Sequence, residues 1–424
     1  MFKKLFNVPS INLLITILSI GIGFFVYPQI ISNIHKITYS INTGKTTTPT
    51  PMPLYGFKHL KNPDPYYKEI TFAADFAAVY YTAKNFDKPN IYSGQYEANH
   101  RPVLYPPIIY YTYNKLFCTY PFPKAALLHL LLQAILLLLS SYFILRYYKL
   151  EIMFIPVCIS YSLILFLTPV GLSEFERGQF DIYPALSILF FMFGIYESNS
   201  PAFAYSALFA ALKWTIAPFF IQGFIIYLLI SKDNKKFKFL GIFTGILLLT
   251  LAIFPEQSIQ YLQTLYNAQN HHREGFSGIT RIPAATIIFI FILSLLLYLI
   301  PLIIHERKNL FLKTFLPYMS GLAVLDLFIP SIAWEYRAIY LIGFIPMAII
   351  WITKYTNNSL YKYSFLGSFI LIIFIIFHGT WIIGKFPIKL TLITYVIYYV
   401  VTVFISISTI TLEKDPTPPN HSFK

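Results

Sequence analysis

The chain has 424 residues, of which 56% are hydrophobic and only 12% are charged. Soluble domains carry about 25% charged residues, so this composition excludes an ordinary series of soluble domains. The two cysteines, Cys118 and Cys158, both lie in apolar stretches, which excludes a disulfide framework. The net charge of +14 fits basic cytoplasmic loops and an anionic partner at a membrane better than it fits a nucleic acid.

Apolar runs of membrane-spanning length recur along the chain and predict an all-α polytopic membrane protein with about twelve transmembrane helices. The first run, 11–31, follows Lys3 and Lys4 and continues beyond the length of a signal peptide, so we expect an uncleaved helix. A long polar stretch, 32–101, comes next. The later apolar segments lie near 124–146, 152–171, 179–196, 201–230, 237–255, 283–304, 310–330, 336–353, 363–384 and 390–411.

Lysine and arginine in the short loops predict the orientation, because basic loops stay in the cytoplasm. This rule requires 102–118 to lie at the surface or re-enter, and 201–230 to cross twice as two short helices broken near Lys213 and Pro218. Both termini are then cytoplasmic. We expect one transmembrane domain over 1–411, a first extracytoplasmic loop over 32–123, and a disordered cytoplasmic tail over 412–424. The basic positions are Arg146, Lys149, Lys232, Lys235, Lys236, Lys238, Arg307, Lys308, Lys354 and Lys362.

Under this topology the ionisable residues gather at the outer face. A secondary transporter tends to place such groups near the middle of the bilayer. The clustering favours chemistry on a lipid-bound substrate at the outer leaflet instead. The outer connections contain Asp64, Asp75, Asp87, Glu97, Glu174, Glu176, Arg177, Gln179, Asp181, Glu256, His271, His272, Arg273, Glu274, Arg281, Glu335 and Arg337.

The first outer loop contains a short helical pattern around one acid. Apolar residues recur at helical spacing over 72–84, which predicts an amphipathic helix that lies on the membrane. Asp75 on this helix has the chemistry of a general base, which removes a proton from a reacting hydroxyl. An exposed surface aspartate is the other interpretation, and the pattern alone leaves both open.

Six motifs in chain order resemble those of the membrane-embedded GT-C glycosyltransferases, and most closely those of glycosyltransferase family 87. Three positions depart from the family pattern: Asp181 replaces an asparagine, Trp214 replaces a proline, and Tyr336 replaces a histidine. The motifs are Asp75-Phe76-x-x-x-Tyr80-Tyr81-x-Ala83, Asn90-Ile91-Tyr92, Tyr105-Pro106-Pro107, Arg177-Gly178-Gln179-Phe180-Asp181, Ala210-Ala211-Leu212-Lys213 and Ile329-Pro330-Ser331-Ile332-Ala333-Trp334-Glu335-Tyr336.

The resemblance implies a GT-C-like helical bundle and an inverting transfer outside a bacterial cytoplasmic membrane. The donor would be a sugar, with mannose favoured by the family, on a polyprenyl phosphate, and the acceptor an envelope lipid or glycan. Asp75 would be the catalytic base. The resemblance implies no metal and no cofactor, and His271-His272 is adjacent rather than at ligand spacing.

Several further residues are candidates for binding the donor. Lys213 could contact the donor phosphate, because fixed cations stabilise a departing phosphate, or it could extend to the interface or pair with Asp181. Arg337 could grip phosphate or pair with Glu335 or Asp326, and Arg177 is open to either role. The candidates for contact with the sugar or the acceptor are Gln179, Asp181, Tyr80 and Trp334, of which Trp334 could also belong to the interfacial aromatic belt.

Two other functions remain open from the sequence. A flippase or transporter of a lipid-linked glycan would tolerate replacement of Asp75 and would need charges deep in the bundle. A non-catalytic membrane subunit of an envelope assembly would tolerate the loss of both Asp75 and Lys213.

Overall fold

The structure is a computed structural model. It describes residues 73–93, 105–167, 171, 178–214, 217–269, 274–275, 284–304, 310–326, 332–333, 335–355, 361–367, 369 and 388–412. The predicted helix at 11–31, most of the polar stretch 32–101 and the tail beyond residue 412 lie outside the described residues. So do Arg177 and Trp334.

The described residues are almost entirely helical, which confirms the all-α class for this part of the chain. Two strands of two residues each, β1 (Glu274–Gly275) and β2 (Ile332–Ala333), form a parallel pair. Short 3₁₀ segments cover Ile91–Ser93, Glu151–Met153 and Glu335–Phe344, and a π-helical turn covers Trp351–Tyr355. The α-helices are α1 Ala74–Lys84, α2 Pro107–Leu116, α3 Phe122–Tyr147, α4 Phe154–Leu167, α5 Ile182–Glu197, α6 Ser200–Leu212, α7 Ala217–Ile230, α8 Lys236–Ala252, α9 Pro255–Gln269, α10 Ala284–Ile304, α11 Phe311–Asp326, α12 Ile345–Ile350 and α13 Ile388–Leu412.

The predicted break in 201–230 is confirmed. Helix α6 ends at Leu212, Lys213 has an extended backbone with φ −153° and ψ 105°, and α7 begins at Ala217. Pro218 is then the second residue of α7, where its missing N–H removes no intrahelical hydrogen bond. The break therefore places Lys213 between two helices rather than inside one.

The predicted number of about twelve spans is not confirmed. In the described part of the chain, only α3 (over Lys124–Tyr147) is long and apolar enough to cross a membrane, and the bent pair α8–α9 is a second candidate if it is one span. Helices α4 to α7 have 13 to 16 residues. At about 1.5 Å per residue they reach about 20–24 Å, which is less than the roughly 30 Å hydrocarbon core.

One side of helix α3 is an exposed apolar surface of the kind that faces lipid. Its exposed large side chains recur every four residues, so they form one stripe along the helix. A continuous exposed apolar stripe of this length is unusual on soluble proteins and typical of membrane helices. The stripe consists of Leu131, Ile135, Leu139 and Phe143, which are 47–59% exposed.

Helix α5 lies at the centre of the described bundle. Nearly all its side chains are buried, as expected for a helix that is apolar on every face. It packs against α6, against the 3₁₀ segment Glu335–Phe344 and against α3. The residues immediately before α5, Gly178–Asp181, are therefore held at the end of the best-packed helix of the described structure.

Candidate functional site

Helix α1 forms at the predicted position and presents Asp75 in its first turn. An amphipathic surface helix buries a single stripe of side chains. Helix α1 buries more of its circumference than that, because it packs against both α2 and α3. Asp75 itself is half-buried. The carboxylate thus lies at a protein wall rather than on a freely exposed helix. The buried residues of α1 are Phe76, Ala77, Val79, Tyr80, Thr82 and Ala83.

Gly178 permits the close approach of the segment Gly178–Asp181 to α1. Its φ is +61°, a left-handed conformation that is unfavourable for residues with a Cβ atom. A Cβ atom at this position would lie 2.7 Å from Cβ of Phe76 and 3.0 Å from Cβ of Ala73. Glycine is therefore needed both for the backbone conformation and for the space, and it brings Gln179 next to Asp75.

The side chain of Gln179 contacts the candidate base directly. Its amide Nε2 donates a hydrogen bond to Oδ2 of Asp75, which joins residues 104 positions apart in the sequence. Gln179 is only 1% exposed. A hydrogen bond to an ionised carboxylate is stronger than one between neutral groups, so Gln179 fixes the orientation of Asp75 without changing the charge of the site.

The main chain of Gln179 is held in turn by α3. Nε2 of Gln133 donates to the Gln179 carbonyl oxygen at 2.9 Å, and Nε2 of His129 lies 3.1 Å from the same oxygen. Nδ1 of His129 is 2.7 Å from the hydroxyl of Tyr113, which is 2.9 Å from the hydroxyl of Tyr183. This polar network connects α2, α3 and α5 to the residue that orients Asp75.

Aromatic rings enclose the network. The Phe76 ring stacks on His129 with 4.8 Å between ring centroids, and Phe180 lies 4.6 Å from the same imidazole. Burial raises the pKa of the Tyr113 hydroxyl well above its ordinary value, with the neighbouring Tyr183 hydroxyl adding to the shift. Hydrogen bonds sealed from water in this way hold one geometry firmly.

Lys213 and Asp181 form a buried ion pair. Nζ of Lys213 lies 2.5 Å from Oδ1 of Asp181, and the two side chains are 9% and 0% exposed. The ammonium group also lies 5.9 Å from the ring centroid of Tyr105, within the range of a cation–π contact. Of the alternatives that the sequence leaves open for Lys213, the structure shows the pairing with Asp181. The attraction between the opposite charges offsets part of the free-energy cost of burying both groups.

The contact of Asp75 with Gln179 and the contact of Lys213 with Asp181 both lie on one short segment. Gln179 and Asp181 are two residues apart, so their Cα atoms are separated by at most about 7 Å. Asp75 is therefore attached to one end of this segment and Lys213 to the other. The arrangement combines an oriented carboxylate with a held cation, which are the two groups needed to take a proton from a nucleophile and to stabilise an anionic leaving group.

The other predicted site residues are placed as follows. Tyr80 is buried and its hydroxyl donates to the Tyr120 carbonyl oxygen at 2.7 Å. The backbone of Arg337 lies in the 3₁₀ segment Glu335–Phe344, which packs against α5. The structure does not describe the side chain of Arg337. Arg177 directly precedes Gly178. Among the described residues, no group of three or more His, Cys, Asp and Glu could hold a metal ion.

The network that supports Gln179 was not predicted from the sequence. His129 and Gln133 are the informative signal, because they are polar residues four apart in the otherwise apolar stretch 125–139 of α3 and so share one face. Polar residues in a membrane helix are expensive and usually face a protein partner, so this pair predicts an internal contact. The identity of that contact, a carbonyl oxygen nearly fifty residues away, could not be read from spacing.

Comparison with known families gives one match. Residues 104–304 match the family model of glycosyltransferase family 87. Searches of curated proteins and of solved structures gave no match. The matched region contains His129, Gln133, Gln179, Asp181 and Lys213, while Asp75 precedes it. The match confirms the resemblance to glycosyltransferase family 87 that the motifs indicated, and it indicates that the chain is a glycosyltransferase.

Proposed function

We propose that this glycosyltransferase moves a sugar, with inversion, from a polyprenyl-phosphate carrier to a lipid or glycan of the cell envelope. The reaction takes place at the outer face of a bacterial cytoplasmic membrane. The observation that carries the proposal is the joint attachment of Asp75 and Lys213 to the segment Gly178–Asp181. Mannose as the sugar and polyprenyl phosphate as the carrier come from the resemblance to family 87.

Asp75 is the base in this reaction. The acceptor hydroxyl attacks the anomeric carbon from the face opposite the phosphate, and a carboxylate oxygen of Asp75 takes its proton. The bond between the anomeric carbon and the phosphate oxygen breaks, and its electron pair leaves with the polyprenyl phosphate. The hydrogen bond from Gln179 turns the carboxylate into one orientation before the acceptor arrives.

Lys213 stabilises the leaving group. Negative charge grows on the phosphate as the bond breaks, so a fixed cation lowers the energy of the transition state more than that of the bound donor. Asp181 offsets part of the free-energy cost of burying the ammonium group before the donor binds. Arg177 and Arg337 are the further cations that we assign to the phosphate.

The sugar and the acceptor lie between these two groups in the proposal. Gln179 and Asp181 border the space on one side, since both belong to the segment that joins Asp75 to Lys213. We assign Tyr80 and Trp334 to its walls. In this assignment Tyr80 contributes its ring, because its hydroxyl is already bonded to the Tyr120 carbonyl.

The test is a transfer assay with the purified protein in lipid nanodiscs. Radiolabelled polyprenyl-phosphate mannose is supplied together with a lipid extract of the host envelope. The Asp75→Asn variant keeps the size and the hydrogen-bonding ability of the side chain but removes its basicity, so transfer should fall about 10²–10⁴-fold. Asp87→Asn is the matched control, because it makes the same change at an exposed position just after α1.

The outcomes separate the parts of the proposal. Loss of transfer in Asp75→Asn with normal transfer in Asp87→Asn supports Asp75 as the base, and the labelled product identifies the acceptor. Equal transfer in wild type and Asp75→Asn would overturn this mechanism. Release of the label from the carrier only when another sugar replaces mannose would overturn the choice of mannose and leave the assignment of Asp75 intact.

A further inference from the structure

Helix α9 differs in direction and composition from the helix before it. Helix α8 is apolar, and α9 follows after only two residues at an angle of 102°. If α8, with 17 residues, runs along the membrane normal by itself, a turn of this size places α9 almost parallel to the membrane plane, and α9 is then not the second half of one span. The exposed apolar surface of α8 continues to the turn itself, through Leu248, Leu249 and Ile253, which are each more than half exposed.

The residues of α9 divide into three faces. One face is packed on the protein and contains the buried residues Ser258 and Tyr261. A second face is exposed and polar, and a third is exposed and apolar. The polar face consists of Glu256, Gln263 and Asn267. The apolar face, which we call the α9 stripe, consists of Ile259, Leu262 and Tyr266, which are 58%, 46% and 70% exposed.

The geometry points to the lipid bilayer as the occupant of the α9 stripe. We propose that α9 lies in the membrane interface, with the α9 stripe in the boundary between headgroups and acyl chains and the polar face toward water. Three observations favour this occupant: the right-angled turn, the continuity of the stripe with the exposed apolar surface of α8, and the separation of polar from apolar exposed residues that interfacial helices show. Tyrosine at the edge of the stripe fits the headgroup level.

The interfacial position of α9 fixes the height of the candidate site relative to the bilayer. On the buried face, the Tyr261 ring lies 6.2 Å from the Trp214 ring and 5.7 Å from the Tyr92 ring, measured between centroids. Trp214 directly follows Lys213 at the helix break. Helix α9 therefore connects the membrane surface, through one aromatic contact, to the residue next to the buried cation. A cation held near this level can meet the phosphate of a lipid whose chain stays in the bilayer.

The test measures the membrane depth of single positions on α9 in the full-length protein. Cys118 and Cys158 are replaced by alanine, and single cysteines at 259, 262 and 266 or at 256, 263 and 267 carry a nitroxide spin label. Power saturation in nanodiscs compares collision with oxygen, which enriches in the bilayer, against collision with a water-soluble nickel chelate. Leu262 and Gln263 form the matched pair, because they are adjacent and both are exposed.

The proposal expects labels at 259, 262 and 266 to lie about 5–10 Å below the lipid phosphates and labels at 256, 263 and 267 to lie in water. Equal accessibility of both sets to the nickel chelate would overturn it, since α9 would then stand clear of the membrane. Equal burial of both sets in lipid would also overturn it, because α9 would then be immersed. Protection of the α9 stripe from both reagents would assign it to a protein partner. Measurements on the double alanine background show whether the fold tolerates loss of the native cysteines. The quenching by brominated lipids that Ile259→Trp adds to that of the four native tryptophans repeats the depth measurement without spin labels.

Discussion

The segment Gly178–Asp181 carries two polar junctions that differ in charge. At one junction, a neutral amide of Gln179 contacts the half-buried carboxylate of Asp75. At the other, the fully buried carboxylate of Asp181 contacts the ammonium group of Lys213. The first junction keeps one net negative charge, while the second has no net charge.

This difference indicates different functions for the two junctions. A charged pair that is buried contributes little net stability, but it becomes strongly destabilising when one partner is removed. An amide that orients a half-buried carboxylate contributes to stability weakly, and its removal acts mainly on the geometry of the reacting group. The second junction should therefore respond in stability as well as in activity, and the first chiefly in activity.

The largest effect on stability is expected from Lys213→Met. The substitution leaves the buried Asp181 carboxylate without its cation, which should cost about 3–5 kcal/mol of unfolding free energy and lower the thermal midpoint in detergent. The double variant Lys213→Met/Asp181→Leu removes both charges and should recover most of this stability while transfer stays lost. Failure of the double variant to recover stability would contradict the ion-pair explanation.

Gln179→Leu tests the other junction. Loss of a hydrogen bond to a charged group corresponds to about 1.5–3 kcal/mol, so kcat/KM should fall about 10–100-fold while the thermal midpoint changes less than in Lys213→Met. Gln222→Leu in α7 is the control, because Gln222 is also buried and loses the same group. A similar fall in both variants would mean that the effect does not depend on the contact with Asp75.

Gly178→Ala should disturb both junctions, because it changes the backbone of the segment that carries them. A left-handed conformation at a residue other than glycine costs about 1–3 kcal/mol, and the new Cβ would also press on Phe76 at 2.7 Å. We expect reduced stability together with reduced transfer. Gly241→Ala in α8 has open space around its Cβ, so it should be neutral or slightly stabilising. Equal thermal midpoints for the two variants would show that Gly178 is not a constrained position.

Local patterns allowed part of this site to be predicted from the sequence. The helix around Asp75 follows from apolar residues at helical spacing, and the break at Lys213 follows from a lysine and a proline inside an apolar run. Both depend on neighbours within a few residues. The pairing of Lys213 with Asp181 was among the open alternatives, because the charges were visible but the distance between them was not.

Other features depend on contacts that leave no periodic signal. The sequence predicted about twelve spans, and this number is not confirmed, because an apolar run does not show where the backbone leaves the helix. Helix α9 was missed since its three faces become distinct only when the protein-facing residues are known. The support of Gln179 by α3 was not predicted, because every residue has a backbone carbonyl. The sequence therefore does not show which carbonyl oxygen a polar side chain of α3 contacts.

The smallest effect is expected from Gln133→Leu, which acts on Asp75 only through Gln179. The change removes a donor from the Gln179 carbonyl, a loss of about 0.5–1.5 kcal/mol, but it also removes a buried amide oxygen that has no hydrogen-bond partner among the described residues. The two effects oppose each other in stability, so the thermal midpoint should hardly change. Transfer should fall only a few-fold, because His129 remains close to the same carbonyl oxygen.

A double-mutant cycle with His129→Leu distinguishes shared support from independent packing. If both residues hold the same carbonyl, the loss of transfer in the double variant should exceed the product of the single losses, since the second removal leaves Gln179 without support from α3. Losses that simply multiply would mean that His129 and Gln133 act separately. In that case the orientation of Asp75 would depend on Gly178 and the packing of α1 rather than on the polar network.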